Sequence, residues 1–173
     1  MTGSRGIANS ARVVILMGVS GSGKTTIGQL LAKELNWRFY DGDDFHPQAN
    51  VAKMSRGIPL TDKDRASWLA VLEGVIRGLI GEGASAVITC SALKQTYRDR
   101  LVQNRNDVVL VYLKGGYDLT RQRLLSRKGH FMKADLLTSQ FDTLEEPEGV
   151  LAIDIAQEPA VIVAEIKQQL GLS

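Results

Sequence analysis

Residues 16–26 read LMGVSGSGKTT, three glycines and four hydroxyl side chains around a single lysine. A stretch so rich in glycine buries little apolar surface and loses much backbone freedom when ordered. Its neighbours say what it is for. Val13–Met17 is a continuous apolar run, rich in β-branched residues and ended by glycine, which predicts a buried strand. From Lys24 to Leu35, Ile27, Leu30, Leu31 and Leu35 recur at helical spacing. Gly18, Val19, Ser20, Gly21, Ser22, Gly23, Lys24 and Thr25 therefore fit G-x-x-x-x-G-K-[ST] at a strand-to-helix junction. Glycines there let backbone N–H groups turn inward around a polyphosphate, and the helix that follows aims its positive end at the same place. A nucleotide polyphosphate is the predicted ligand, held from Gly18 through Thr25 and Thr26. Lys24 would reach the β- and γ-phosphates and the Thr25 hydroxyl would hold Mg²⁺. The plainer reading of these residues is a glycine turn that links strand to helix.

Further strands are expected at 37–41 (WRFYD), 86–90 (AVITC), 107–113 (DVVLVYL) and 150–155 (VLAIDI). Helices are expected near 50–54, from about Asp64 to Ile80, over 92–102, from Asp118 to Arg127, around 134–143 and over Pro159–Leu170. Strands alternating with helices, and apolar on both faces, predict an α/β fold with a parallel sheet covered on two sides. Residues 1–11 read as a flexible tail and 12–173 as one domain, with 128–149 as a candidate lid. At 173 residues the chain fits one core. Its net charge of +2 is too slight to point to nucleic acid. One cysteine, Cys90, forms no internal disulfide and suits a reducing compartment, so a cytoplasmic protein is expected. No run approaches the roughly 18 apolar residues of a membrane span.

The chemistry gathers in two further places. Switch GTPases and motor ATPases usually end a later buried strand with a metal-steadying acid, whereas AVITC ends in Cys90-Ser91. The acids instead close the second strand, as Asp41-Gly42-Asp43-Asp44. In a parallel sheet that strand end shares an edge with the glycine loop. Two residues apart on extended chain, Asp41 and Asp43 should lean the same way, one to steady a metal-bound water, the other to accept a proton from a substrate hydroxyl. A solvated acidic loop is the alternative. Arg123 and Arg127 stand i, i+4 before the irregular segment, where late-arriving cations can stabilise a transferring phosphoryl group and a lid can exclude water. Solvated surface arginines are the other reading of that pair.

Taken in order, LMGVSGSGKT, DGDDFHP, KMSRGIPLTDKDR, CSALKQTYRDRL, YLKG, RLLSRKGHFM and LLTSQFDTLEEP resemble the gluconate kinases, small relatives of the shikimate and adenylate kinases. The resemblance covers roughly residues 13–157, with Ser67 and Lys133 standing where many members carry proline. It implies a nucleoside-monophosphate-kinase-like P-loop fold, a five-stranded parallel sheet in order 2-3-1-4-5. It also implies transfer of the ATP γ-phosphate to the 6-hydroxyl of D-gluconate with Mg²⁺, in a homodimer whose product enters the pentose phosphate route. On that resemblance Asp43 orients and deprotonates the attacking hydroxyl, and Asp41 stands behind the metal. Arg127 and Arg123 match the lid arginines of adenylate-kinase relatives. His46 binds a substrate hydroxyl or caps backbone, and His130 touches substrate or packs. For the gluconate carboxylate Arg98 comes first, with Lys94 and Arg56 behind it. Asp62, Asp64 and Arg65 read either as a cap and an ion pair or as residues that shape the substrate pocket. Two other functions compete: a kinase for another small hydroxylated acid such as shikimate, and a nucleotide-dependent regulatory module.

Overall fold

Five parallel strands carry the site: β1 (Val13–Met17), β2 (Arg38–Asp41), β3 (Ala86–Thr89), β4 (Val108–Lys114) and β5 (Leu151–Asp154), in the order β2-β3-β1-β4-β5. They are seen in a computed structural model that describes residues 11–126 and 134–173. The helices are α1 (Lys24–Leu35), α2 (Gln48–Ser55), α3 (Asp62–Glu82), α4 (Gln95–Val102), α5 (Tyr117–Ser126), α6 (Ala134–Thr143) and α7 (Pro159–Leu170). The three-layer α/β architecture and strand order are those expected from the sequence. Residues 1–10 of the expected tail lie outside the described residues, and Ala11 is buried.

β1 explains the layers. It pairs with β3 on one side and β4 on the other, so every residue in it is buried. Side chains alternate across a strand. Val13, Ile15 and Met17 accordingly join Trp68, Leu69 and Leu72 of α3, while Val14 and Leu16 join Leu31 of α1 and Ile166 of α7. A smaller core of Val19, Leu93, Leu124 and Leu137 lies where the glycine loop meets α5 and α6. β2 and β5 sit at the sheet edges and are only partly buried, so the expectation of apolar strands on both faces holds for the interior ones.

Local chemistry sets the boundaries. α3 begins two residues before the expected Asp64 because Thr61 and Asp64 form a reciprocal capping box, and it ends on Gly83 in the left-handed conformation. α4 begins at Gln95 rather than 92, since Ala92 is left-handed and Lys94 is still extended. β2 starts after Trp37, whose N–H bonds back to Ala32 O at the end of α1. The register aligns Thr89 with Leu16 on one side and Asp41 on the other, which brings the ends of β1, β2 and β3 to one edge.

Candidate active site

α1 starts without a side-chain cap and with no acid in its first turn. Its N-cap, Gly23, has φ 91°, and a Cβ there would meet nothing within 4 Å. The first N–H groups of the helix thus receive no side-chain cap, the arrangement an anion completes. Among the described residues, the buried Ser22 hydroxyl has no hydrogen-bond partner. Lys24 Nζ folds back over the loop to donate to Gly18 O (3.0 Å) and Val19 O (2.9 Å). Thr25 Oγ1 donates to Asp41 Oδ2 at 3.1 Å, joining the first turn of α1 to the end of β2.

The extended chain assumed between the two acids is not present. Extended chain stops at Asp41, and Gly42–Phe45 winds into a 3₁₀ turn, so the period of two no longer applies. Asp41 Oδ1 accepts from Asp43 N (3.0 Å) and from Thr89 Oγ1 (3.2 Å), which leaves Asp41 tied to the sheet edge. The turn depends on glycine: a Cβ on Gly42 would lie 2.0 Å from Thr89 O. Trp68 Nε1 donates to Gly42 O at 2.7 Å and holds the turn from α3. Asp43 then lines a cleft together with Lys24, His46, Arg65, Trp68 and Gln140.

His46 stacks on Trp68 with ring centroids 4.1 Å apart. Asn50 Nδ2 donates to Asp64 O at 2.9 Å, which fixes the amide's orientation, and the same Nδ2 lies 3.3 Å from His46 Nδ1. Nδ1 is therefore the acceptor, and the proton of the neutral ring sits on Nε2, 3.8 Å from Asp43 Oδ1. Burial, then the Arg65 charge, lowers the His46 pKa to about 4, against a smaller opposing pull from Asp41. At neutral pH it is an uncharged N–H donor, suited to a hydroxyl and unable to add a cation.

Arg65, one turn into α3, supplies that cleft with its second cation after Lys24. Its signal in the sequence was the TDKDR run, whose local reading as a cap and ion pair is also satisfied: Asp64 caps α3 and pairs with Lys53 at 2.8 Å. Arg98 is placed elsewhere. Only 2% exposed, it donates to Ala92 O, Leu93 O, Glu145 O and Gln95 Oε1, tying the start of α4 to the segment after α6. Lys94 pairs with Asp62 at 2.9 Å, and Arg56 lies exposed at the end of α2; neither lines the cleft. Arg123 donates to Ile155 O at 2.8 Å and lines a separate cleft with Gly21, Gly23, Thr26 and Gln157. Arg127 and His130 lie outside the described residues. Gln140, which the sequence did not single out, accepts from Ser20 N at 2.6 Å and so fixes α6 to the loop rim. Burial pushes the Cys90 thiol up to about 12, so it offers no thiolate nucleophile.

A glycine cradle with its lysine, an acid at the neighbouring strand end and a cleft between them define a P-loop phosphotransferase. The family model for shikimate kinase matches residues 20–149. A gluconokinase of Gluconobacter oxydans (strain 621H) is 45% identical, covering 90% of this chain and 89% of that one. The thermoresistant gluconokinase of Escherichia coli (strain K12) is 42% identical over 88% and 89%. The crystal structure of a gluconokinase from Sinorhizobium meliloti 1021 superposes with TM-score 0.79 at 38% identity, covering 94% of this chain and 97% of that one. The chain belongs to the shikimate kinase family and, within it, to the gluconokinases, which are ATP-dependent kinases.

Proposed function

We propose that the protein transfers the γ-phosphate of ATP to the 6-hydroxyl of D-gluconate, releasing ADP and 6-phosphogluconate. One observation carries this reading: Lys24, Asp43 and Arg65 line a single cleft. Lys24 serves the phosphate, Asp43 the attacking hydroxyl and Arg65 the acceptor's carboxylate, for which a planar guanidinium is the best-matched partner. Asp43 accepts the hydroxyl proton as the oxygen attacks, and chiefly orients that hydroxyl. His46 Nε2–H donates to a second hydroxyl of the acceptor. The separate cleft beside Arg123 takes the remainder of the nucleotide, with Arg127 and His130 assigned to the lid side on the resemblance alone.

The donor set fits a magnesium ion. Among the described residues no group of three or more His, Cys, Asp or Glu could hold a metal, which disfavours an all-protein cage. Mg²⁺ is ordinarily held by one or two side chains, water and substrate phosphates. Thr25 and Asp41 would hold it, and when bound it neutralises charge on the phosphates. A homodimer, a cytoplasmic location and a product bound for the pentose phosphate route complete the reading. Light scattering on the purified chain tests the first of these. Among the described residues no helix is long and apolar enough to cross a membrane.

ADP release measured across D-gluconate, other sugar acids, shikimate and no acceptor tests the activity. Turnover that depends on gluconate is expected. Turnover on another acid without gluconate activity would reassign the acceptor, and ATP hydrolysis indifferent to every acceptor would favour a regulatory module.

A further inference from the structure

Arg65 is held from outside the cleft. α3 opens with Asp62 in its first turn, and α4 opens from Lys94 as N-cap with Tyr97 in its own first turn. The two helix starts face each other. Lys94 Nζ donates to both carboxylate oxygens of Asp62, at 2.9 and 3.2 Å. The Tyr97 hydroxyl makes a short hydrogen bond to Asp62 Oδ1. Arg65 Nη1 donates to the same Tyr97 hydroxyl at 3.3 Å, and the guanidinium lies 5.7 Å from the ring centroid. Lys94 Nζ stands at 5.7 Å from that centroid as well.

A phenol has one proton. Given to Asp62, it leaves a lone pair on the Tyr97 oxygen for Arg65. The ring is buried while the Asp62 side chain is exposed, so the chain Lys94–Asp62–Tyr97–Arg65 runs from solvent inward to the cleft. The carboxyl pKa is lowered, first by the Tyr97 hydrogen bond and then by Lys94. That direction agrees with a charged acceptor at this end of the chain.

We infer that Tyr97 is a positioning residue that selects acidic acceptors. Set by Asp62 and Lys94, it holds one nitrogen of the Arg65 fork, so that the others meet the acceptor's carboxylate already oriented. An arginine is long and rich in rotamers, and fixing it beforehand reduces what binding must order. The inference rests on Arg65 being the carboxylate anchor. If the tyrosine only fastened α3 to α4, its loss would lower stability and leave acceptor preference untouched.

The test compares D-gluconate with sorbitol, an uncharged hexitol of the same carbon chain, as substrate or competitive inhibitor. Wild type, Arg65→Met, Tyr97→Phe and Asp62→Asn are measured, with melting temperatures alongside. Arg65→Met should abolish most of the preference for gluconate. Tyr97→Phe should raise the gluconate KM about tenfold, the loss of one hydrogen bond to a charged group, with the ATP KM and the sorbitol constant little changed. Asp62→Asn keeps an oxygen for the tyrosine proton and should raise the gluconate KM by roughly threefold. Its exposed position keeps the test open even if Tyr97→Phe does not fold. Loss of preference in Arg65→Met without change in Tyr97→Phe and Asp62→Asn overturns the positioning role and spares the anchor. An unchanged preference in Arg65→Met overturns the anchor itself.

Discussion

The two halves of the cleft are made of different material. The phosphate half is backbone: eight consecutive residues, Gly18–Thr25, whose shape follows from their φ angles and from the strand and helix that flank them. The acceptor half is side chain: Asp43 from a 3₁₀ turn, His46 from the loop after it, Arg65 from α3 and Gln140 from α6. A backbone site can be written in one short stretch of sequence. A side-chain site is assembled from distant stretches, each of which has a local purpose as well. The first should therefore fail where its backbone is disturbed, at its positive-φ glycines, and at its lysine, whereas the second should be reshaped by changes of side chain.

The lysine gives the largest effect. Lys24→Met keeps the approximate length of the side chain and removes the charge proposed to meet the phosphates. A fall in kcat on the order of 10³ is expected, with the melting temperature nearly unchanged. Activity within a factor of about ten of wild type would remove Lys24 from the phosphate path. On the acceptor side, Asp43→Asn should lower kcat by about 10², the range of a single proton-handling group, and leave the ATP KM near its original value. An effect confined to ATP affinity would move Asp43 into the phosphate half.

Arg98→Met sharpens the comparison differently, because the sequence put Arg98 first for the role proposed here for Arg65. Arg98 serves three backbone carbonyls and one side-chain oxygen from a buried position, so losing it should cost about 3 kcal/mol of stability. The gluconate KM should not move. Urea denaturation and steady-state kinetics on the same sample separate the two, and a raised KM without lost stability would restore Arg98 to the site.

These cases show what could be read before any coordinates. The strand order came only from the family resemblance, whereas nearly every element was legible, because hydrophobic period, glycines and caps act locally and agree with one another. The loop was legible for the same reason. The choice among cations was not. Arg98, Lys94 and Arg56 all stand in plausible stretches, and only the packing of α4 against the segment after α6 turns Arg98 inward while α3 carries Arg65 to the cleft. The extended geometry assumed for Asp41 and Asp43 gives way for a related cause: β2 ends at Asp41 and Gly42, close against Thr89 O, opens a 3₁₀ turn, so the rule of alternation does not reach Asp43.

The smallest effect concerns the side-chain half alone. His46 titrates at about 4 in the folded protein against 6.5 for the free side chain, because burial and the nearby Arg65 charge disfavour its cation. The unfolded chain therefore binds the extra proton between these two values, and stability present above pH 6.5 is lost as pH falls toward 4. By linkage the loss at pH 5 is about 2 kcal/mol relative to neutral pH. Asp64, lowered to about 2 by Lys53 and its cap bonds, acts below the ordinary carboxylate range and so outside this window. Urea unfolding at pH 7 and pH 5 should show the difference in wild type and not in His46→Gln. The backbone half carries no histidine, and an equal pH dependence in both proteins would show that the titrating group is not His46.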